Sequence, residues 1–178
     1  MLCRMHALEW CSALLNGGYA LGLAYRKRWA WPLGFLGTLL AIAVMFEAKL
    51  YAESALNLAY AALALLGWFA WSPSERFALR AHRLRDASWA FGMAVGVSWV
   101  MRSLTDNPRP IWDAVLFSGG LLATWWQVCG DRWNWTLWLI LNLAGIYVYA
   151  DLGLEVYAAY SGMMALAAAW GWYRWGVR

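Results

Sequence analysis

Charged side chains are scarce in this chain: Asp, Glu, Lys and Arg make up 13% of its 178 residues, against roughly 25% in soluble domains. The shortfall extends over the whole length, which argues against an ordinary soluble fold. Histidine is nearly absent, and the two present, His6 and His82, lie far apart in polar segments. The three cysteines (Cys3, Cys11 and Cys129) lack metal-ligand spacing, and an odd number cannot all pair internally. No paired acids, His–acid pair or nucleophile–base set falls at one depth, so an enzyme, a metal site and a cofactor are not expected. The N-terminal segment MLCRMHALEW lacks the basic-then-apolar layout and small-residue cleavage site of a removable signal, and reads as a mature start.

What is abundant is apolar and aromatic. Hydrophobic residues reach 63% and tryptophan 16 positions, with a mean hydropathy of +0.47. Seven uncharged runs appear, at 10–25, 29–46, 54–74, 87–101, 114–130, 133–150 and 156–173. Their lengths approach the roughly 20 residues that cross a bilayer core as a helix. Strands are a poor alternative, because an open sheet in lipid leaves backbone groups unpaired. The expected class is an all-α integral membrane protein with seven transmembrane helices. The pI near 9.1 does not point to nucleic acid, since the basic residues sit in short segments between the apolar runs.

Those segments set an orientation. Ten basic residues (Arg26, Lys27, Arg28, Arg76, Arg80, Arg83, Arg85, Arg132, Arg174 and Arg178) fall on one side, and four (Arg4, Lys49, Arg102 and Arg109) on the other. The positive-inside rule then places the N-terminus outside and the C-terminus in the cytoplasm. The polar loop 72–86 is cytoplasmic on this reading. Eight tryptophans (Trp29, Trp31, Trp68, Trp71, Trp133, Trp135, Trp172 and Trp175) gather at the same boundary, where an aromatic belt is expected.

The chain also repeats. A shift of 104 residues aligns Arg28–Trp71 with Arg132–Trp175 and matches Trp29/Trp133, Trp31/Trp135, Gly67/Gly171, Trp68/Trp172 and Trp71/Trp175. One domain over 1–178 is expected, with repeat one near 8–71, a linker helix near 86–103 and repeat two near 112–175. Four spans separate equivalent positions, so both halves cross in the same direction: a 3+1+3 parallel repeat of the SWEET type, which favours transport between the halves.

WAWPLGFLGTLLAIAVMFEAKLYAESALNLAYAALALLGWFAW, with Trp-Pro-Leu-Gly entering a helix, an Ala-Lys-Leu-Tyr turn and a closing Gly-Trp-x-x-Trp, resembles the first repeat of the PnuC family of bacterial vitamin transporters. NWTLWLILNLAGIYVYADLGLEVYAAY, a Trp-x-x-Trp followed by Asn, resembles the second-half signature of that family. The resemblance implies a facilitator for nicotinamide riboside in the bacterial inner membrane, N-out and C-in, with net uptake driven by intracellular phosphorylation. It also implies a lipid-embedded homotrimer and no nucleic-acid partner. Thiamine or riboflavin is the alternative cargo, and a non-transporting membrane scaffold is the alternative class. Two positions depart from the pattern: Asp151–Leu152 replaces an expected lysine, and Asn57 an expected glutamine.

The stretch Trp133–Asn142 carries the leading site candidates. Trp135, Trp138 and Asn142 stand three and four apart, hence on one helix face. An asparagine inside an apolar helix needs a partner, either another helix, a trapped water or a substrate. An interhelical hydrogen bond is the plain alternative, worth on the order of 0.6 kcal/mol in membranes. With the resemblance, Trp138 stacks on a cationic ring and Asn142 hydrogen-bonds its substituents. Tyr149, Asn57, Tyr60, Trp125 and Gln127 are further lining candidates. Because neighbours point apart, at most two of Trp125, Trp126 and Gln127 face one cavity. Asn16, beside Gly17 and Gly18, reads mainly as close helix packing, where small residues let backbones approach.

Overall fold

The computed structural model describes residues 2–47, 51–71, 79, 81–104, 109–151 and 155–177. Seven helices form: α1 (Leu2–Ala24), α2 (Ala30–Glu47), α3 (Tyr51–Ala70), α4 (Arg83–Leu104), α5 (Pro110–Val128), α6 (Trp133–Asp151) and α7 (Glu155–Gly176). Each of the seven uncharged runs gives one helix. α1 extends back through Arg4 and Glu9, since a charge that ends an apolar run does not end a helix. Pro110 opens α5 at its first turn, where its missing N–H costs no helical bond.

Two three-helix groups result. α1 packs on α2 and α2 on α3; α5 packs on α6 and α6 on α7. The groups meet twice, α1 against α7 and α3 against α5, which closes six helices into a ring. α4 stands outside the ring, with α5 as its helical neighbour among the described residues.

The turns α1–α2 and α5–α6 are built alike. Arg26 N–H donates to Leu23 O and Lys27 N–H to Gly22 O; 104 residues on, Gly130 N–H donates to Gln127 O and Asp131 N–H to Trp126 O. Both are helix ends closed by a residue in the left-handed region, which satisfies carbonyls the helix leaves open. Gly130 (φ 68°) takes that conformation freely, whereas Arg26 (φ 54°) is strained. Its guanidinium lies 4.5 Å from the Trp175 ring centroid, a contact that offsets part of the strain.

At this end of the ring the tryptophans depart from the expected belt. Trp31, Trp71, Trp135 and Trp175 are buried, none more than 4% exposed. They form a continuous stack. Trp31 meets Trp71 edge-on at 5.3 Å, Trp71 meets Trp175 at 5.8 Å, and Trp175 meets Trp135 edge-on at 5.6 Å. The stack joins the two groups. Trp71 Nε1 donates to Val128 O on α5, and Trp175 Nε1 donates to Leu23 O on α1. Gly67 and Gly171 make room for it, since a Cβ on Gly67 would lie 2.5 Å from the Trp31 indole and one on Gly171 would overlap Trp135. Only half of the eight therefore suit an interface. Trp29 and Trp133 are exposed, while Trp68 and Trp172 lie under the guanidiniums of Arg28 and Arg132, at 4.4 and 3.7 Å.

The outer surface is apolar. Phe69, Leu84, Trp89, Phe91, Leu104 and Leu166 are all more than 70% exposed, a density that suits lipid or protein neighbours better than water. Among the described residues, however, no helix is long and apolar enough to register as a membrane span. In α6 the reason is visible in its sequence: Trp133, Asn134, Trp135, Trp138 and Asn142 lower the mean hydropathy of an otherwise largely aliphatic helix.

Candidate functional site

Inside the ring, three elements converge on one amide. Gln127 sits on the last turn of α5 and is 2% exposed. Tyr19 Oη, from α1, donates to its Oε1 at 3.2 Å, and Trp138 Nε1, from α6, donates to the same oxygen at 3.3 Å. Buried polar groups need such partners, because leaving one unmade costs about 1–3 kcal/mol. Seven residues earlier on the same face of α5 lies Gly120. The Tyr60 hydroxyl from α3 presses on it, and the Trp138 ring edge lies 3.8 Å from where its Cβ would be. A side chain at 120 would fill the space that Tyr60 and Trp138 share. Aromatic faces and a buried amide thus line the interior from α1, α3, α5 and α6.

Asn142 lies one turn beyond Trp138, about 6 Å along the axis at 1.5 Å per residue. Its Nδ2 donates to Trp138 O at 2.8 Å. The partner its amide needs is therefore its own helix backbone, four residues back, rather than another helix. That bond uses the donor end of the amide, so the other end of the side chain is an acceptor. Asn57 and Tyr60 are half-buried on α3 and both are already engaged. The side chain of Tyr149 lies outside the described residues.

Two other candidates are separated from this group. Trp135 belongs to the buried indole stack, so it contributes to the joint between halves and not to an open wall. Trp125 turns away from Gln127: Trp125 Nε1 and Trp126 Nε1 both donate to Asp86 Oδ2 on α4, at 3.2 and 3.3 Å. Residues two apart on a helix point to opposite sides, so Gln127 faces inward while Trp125 holds the linker helix. Asn16 packs its amide against Gly37, and Ser12 Oγ donates to Gly37 O at 2.9 Å, which ties α1 to α2.

Tyr19 is the interior residue that sequence reasoning passed over. A signal existed. It lies five residues before the end of α1, as Trp138 lies five after the start of α6, so both sit at one depth from the same end of the ring.

Asp86 anchors α4. It accepts from the His82 backbone N–H at 2.9 Å, from Arg85 and from both indoles. Burial alone would raise its carboxyl, but the bonds from His82, Arg85, Trp126 and Trp125 outweigh it and hold the group below the ordinary aspartate range. Arg83 makes a two-pronged bond to Asp131, at 2.7 and 3.0 Å. That pair, with Arg132, Trp133 and Trp172, lines an open pocket of about 610 Å³ at the α5–α6 turn, outside the ring. At the opposite end, Arg109 and Asp151 form an ion pair between the start of α5 and the end of α6.

Comparison with known proteins identifies the family. The family model described as nicotinamide mononucleotide transporter matches residues 6–177. The riboflavin/roseoflavin transporter RibM of Streptomyces davaonensis is 28% identical over 91% of this chain and 81% of its own length. The nicotinamide riboside transporter PnuC of Escherichia coli is 24% identical over 83% of this chain and 77% of its own. Among solved structures, the crystal structure of the vitamin B3 transporter PnuC superposes with a TM-score of 0.72 at 19% identity, covering 96% of this chain and 80% of that one. These relatives are transporters and not enzymes. The chain belongs to the nicotinamide mononucleotide transporter family, the family of PnuC.

Proposed function

We propose that this vitamin transporter of the PnuC family carries nicotinamide riboside across the bacterial inner membrane by facilitated diffusion, with intracellular phosphorylation trapping the cargo. The observation that carries the reading is the interior constellation of Trp138, Gln127, Tyr60 and Tyr19 within a closed ring of six helices. Trp138 offers an indole face to a cationic ring, an attraction of about 0.5–2 kcal/mol depending on desolvation. Gln127 and the acceptor end of Asn142 meet the polar groups of the cargo. Neutral groups favour release as well as binding, which conduction requires. The contacts that recur 104 residues apart support a SWEET-like parallel repeat, with the indole stack at the cytoplasmic end by the loop charges, N-out and C-in. The exposed apolar face of α4 suits the homotrimer that the resemblance implies.

Riboflavin is the second reading, because the relative at 28% identity bears that activity in its name. Uptake into proteoliposomes separates them. Labelled nicotinamide riboside, riboflavin and thiamine are run side by side, and nicotinamide riboside is expected to equilibrate fastest. Faster riboflavin flux moves the assignment to the second reading, and no flux of any of the three ends the facilitator proposal.

A further inference from the structure

The hydrogen bonds around Gln127 fix which end of its amide is offered to a ligand. An indole N–H only donates, so the atom 3.3 Å from Trp138 Nε1 is necessarily the amide oxygen. The Tyr19 hydroxyl donates to that same oxygen. The amide cannot flip without setting its NH2 against the Trp138 indole N–H, which cannot accept. Nε2 is therefore the end of the amide turned away from Tyr19 and Trp138. Among the described residues no hydrogen bond from Nε2 is found. Tyr19 is itself held firmly. Its ring lies so close to α2 that a Cβ on Gly34 would approach it to 2.7 Å, and it meets Trp31 edge-on at 5.5 Å.

We propose that Tyr19 is a positioning residue that holds Gln127 with its NH2 toward the cargo, so that the site selects vitamins whose ring system carries an exocyclic carbonyl oxygen. This inference rests on the vitamin-binding reading above and narrows it. The nicotinamide ring bears a carboxamide and the flavin ring system bears two carbonyls, so both offer the acceptor that Nε2 lacks. Neither ring of thiamine carries a carbonyl. A site built to hydrogen-bond one group discriminates strongly against analogues without it, because the polar atom that the analogue covers is then left unpaired.

The test is equilibrium binding to the full chain purified in detergent, by titration calorimetry. The ligands are nicotinamide riboside, riboflavin, thiamine and a pyridinium riboside lacking the carboxamide. The proteins are wild type, Tyr19→Phe and Gln127→Met. Whichever of nicotinamide riboside and riboflavin binds the wild type is expected to lose about five-fold or more in each variant, the worth of one hydrogen bond. Thiamine is expected to bind more weakly than that vitamin. The pyridinium riboside is expected to bind wild type and Tyr19→Phe equally, and the ligand-free melting temperature of Tyr19→Phe to stay within about 2 °C of wild type. Undiminished vitamin affinity in Tyr19→Phe, thiamine binding as tight as the vitamin, or an equal loss for the pyridinium riboside would each overturn the proposal while leaving the transporter reading intact. Failure of wild type to bind either vitamin overturns both.

Discussion

The two three-helix groups are alike where they meet and unlike where they enclose space. At the α1–α2 and α5–α6 ends they share turn hydrogen bonds, paired glycines and indoles, and an arginine that donates to a tryptophan carbonyl: Arg28 to Trp68 at 2.8 Å and Arg132 to Trp172 at 3.0 Å. Across the interior, equivalent positions diverge. Gly34 stands opposite Trp138, Leu23 opposite Gln127, and Thr38 opposite Asn142. At the turns, Lys27 stands opposite Asp131, so only the second group attracts Arg83 and takes α4 against it. Positions held in common build the joint, and positions that differ line the interior and attach the linker helix.

The largest expected effect breaks the common part. Trp31→Ala and Trp135→Ala each empty a buried indole volume, and each is expected to destabilise by about 3–5 kcal/mol. Thermal unfolding in detergent checks this, and the two losses should be close, Trp31→Ala the larger because Trp31 also meets Tyr19 where the second group has Ala123. A large inequality would show the joint to be lopsided. Next come Gly67→Ala and Gly171→Ala, which force a methyl into the facing indole at a cost of about 1–3 kcal/mol, read by the same melts.

Smaller effects belong to the divergent turn. Asp131→Lys makes the second turn resemble the first and removes a partly exposed ion pair worth about 0.2–1 kcal/mol. Loosening of α4 should appear as faster hydrogen exchange over residues 83–90 with little change elsewhere. The Asp86 carboxyl, held below its ordinary value of about 3.9, adds stability that is fully present above that value. The contribution is lost as pH falls through the lowered folded value. The melting-temperature gap between wild type and Asp86→Asn should accordingly be widest near neutrality and shrink in acid. A gap independent of pH would remove the charge from the explanation.

Much of this was legible in the sequence, for definite reasons. Uncharged runs near helix-spanning length marked all seven helices. The arginine and tryptophan pattern marked the helix ends. Which indoles turn inward was harder to read. Trp29 and Trp31, like Trp133 and Trp135, lie two apart and so point to opposite sides of their helices. One of each pair is buried when the other is exposed, and a belt for all eight was not available. Trp138 and Gln127 drew notice as polar-edged residues inside apolar runs. Their meeting with Tyr19 depends on the tertiary approach of α1, which no local spacing encodes. Trp125 was misleading for the same reason, since its partner Asp86 lies on another helix.

In the proposal above Trp138, on the divergent interior, binds cargo, whereas the indoles of the shared joint hold the fold. Binding titrations of nicotinamide riboside and riboflavin on purified wild type and Trp138→Ala test it directly, with a ligand-free melt of each protein alongside. Affinity for the bound vitamin is expected to fall about ten-fold, in line with a desolvated cation–π or stacking contact, while the folded state persists. Unchanged affinity in a folded Trp138→Ala protein would contradict it.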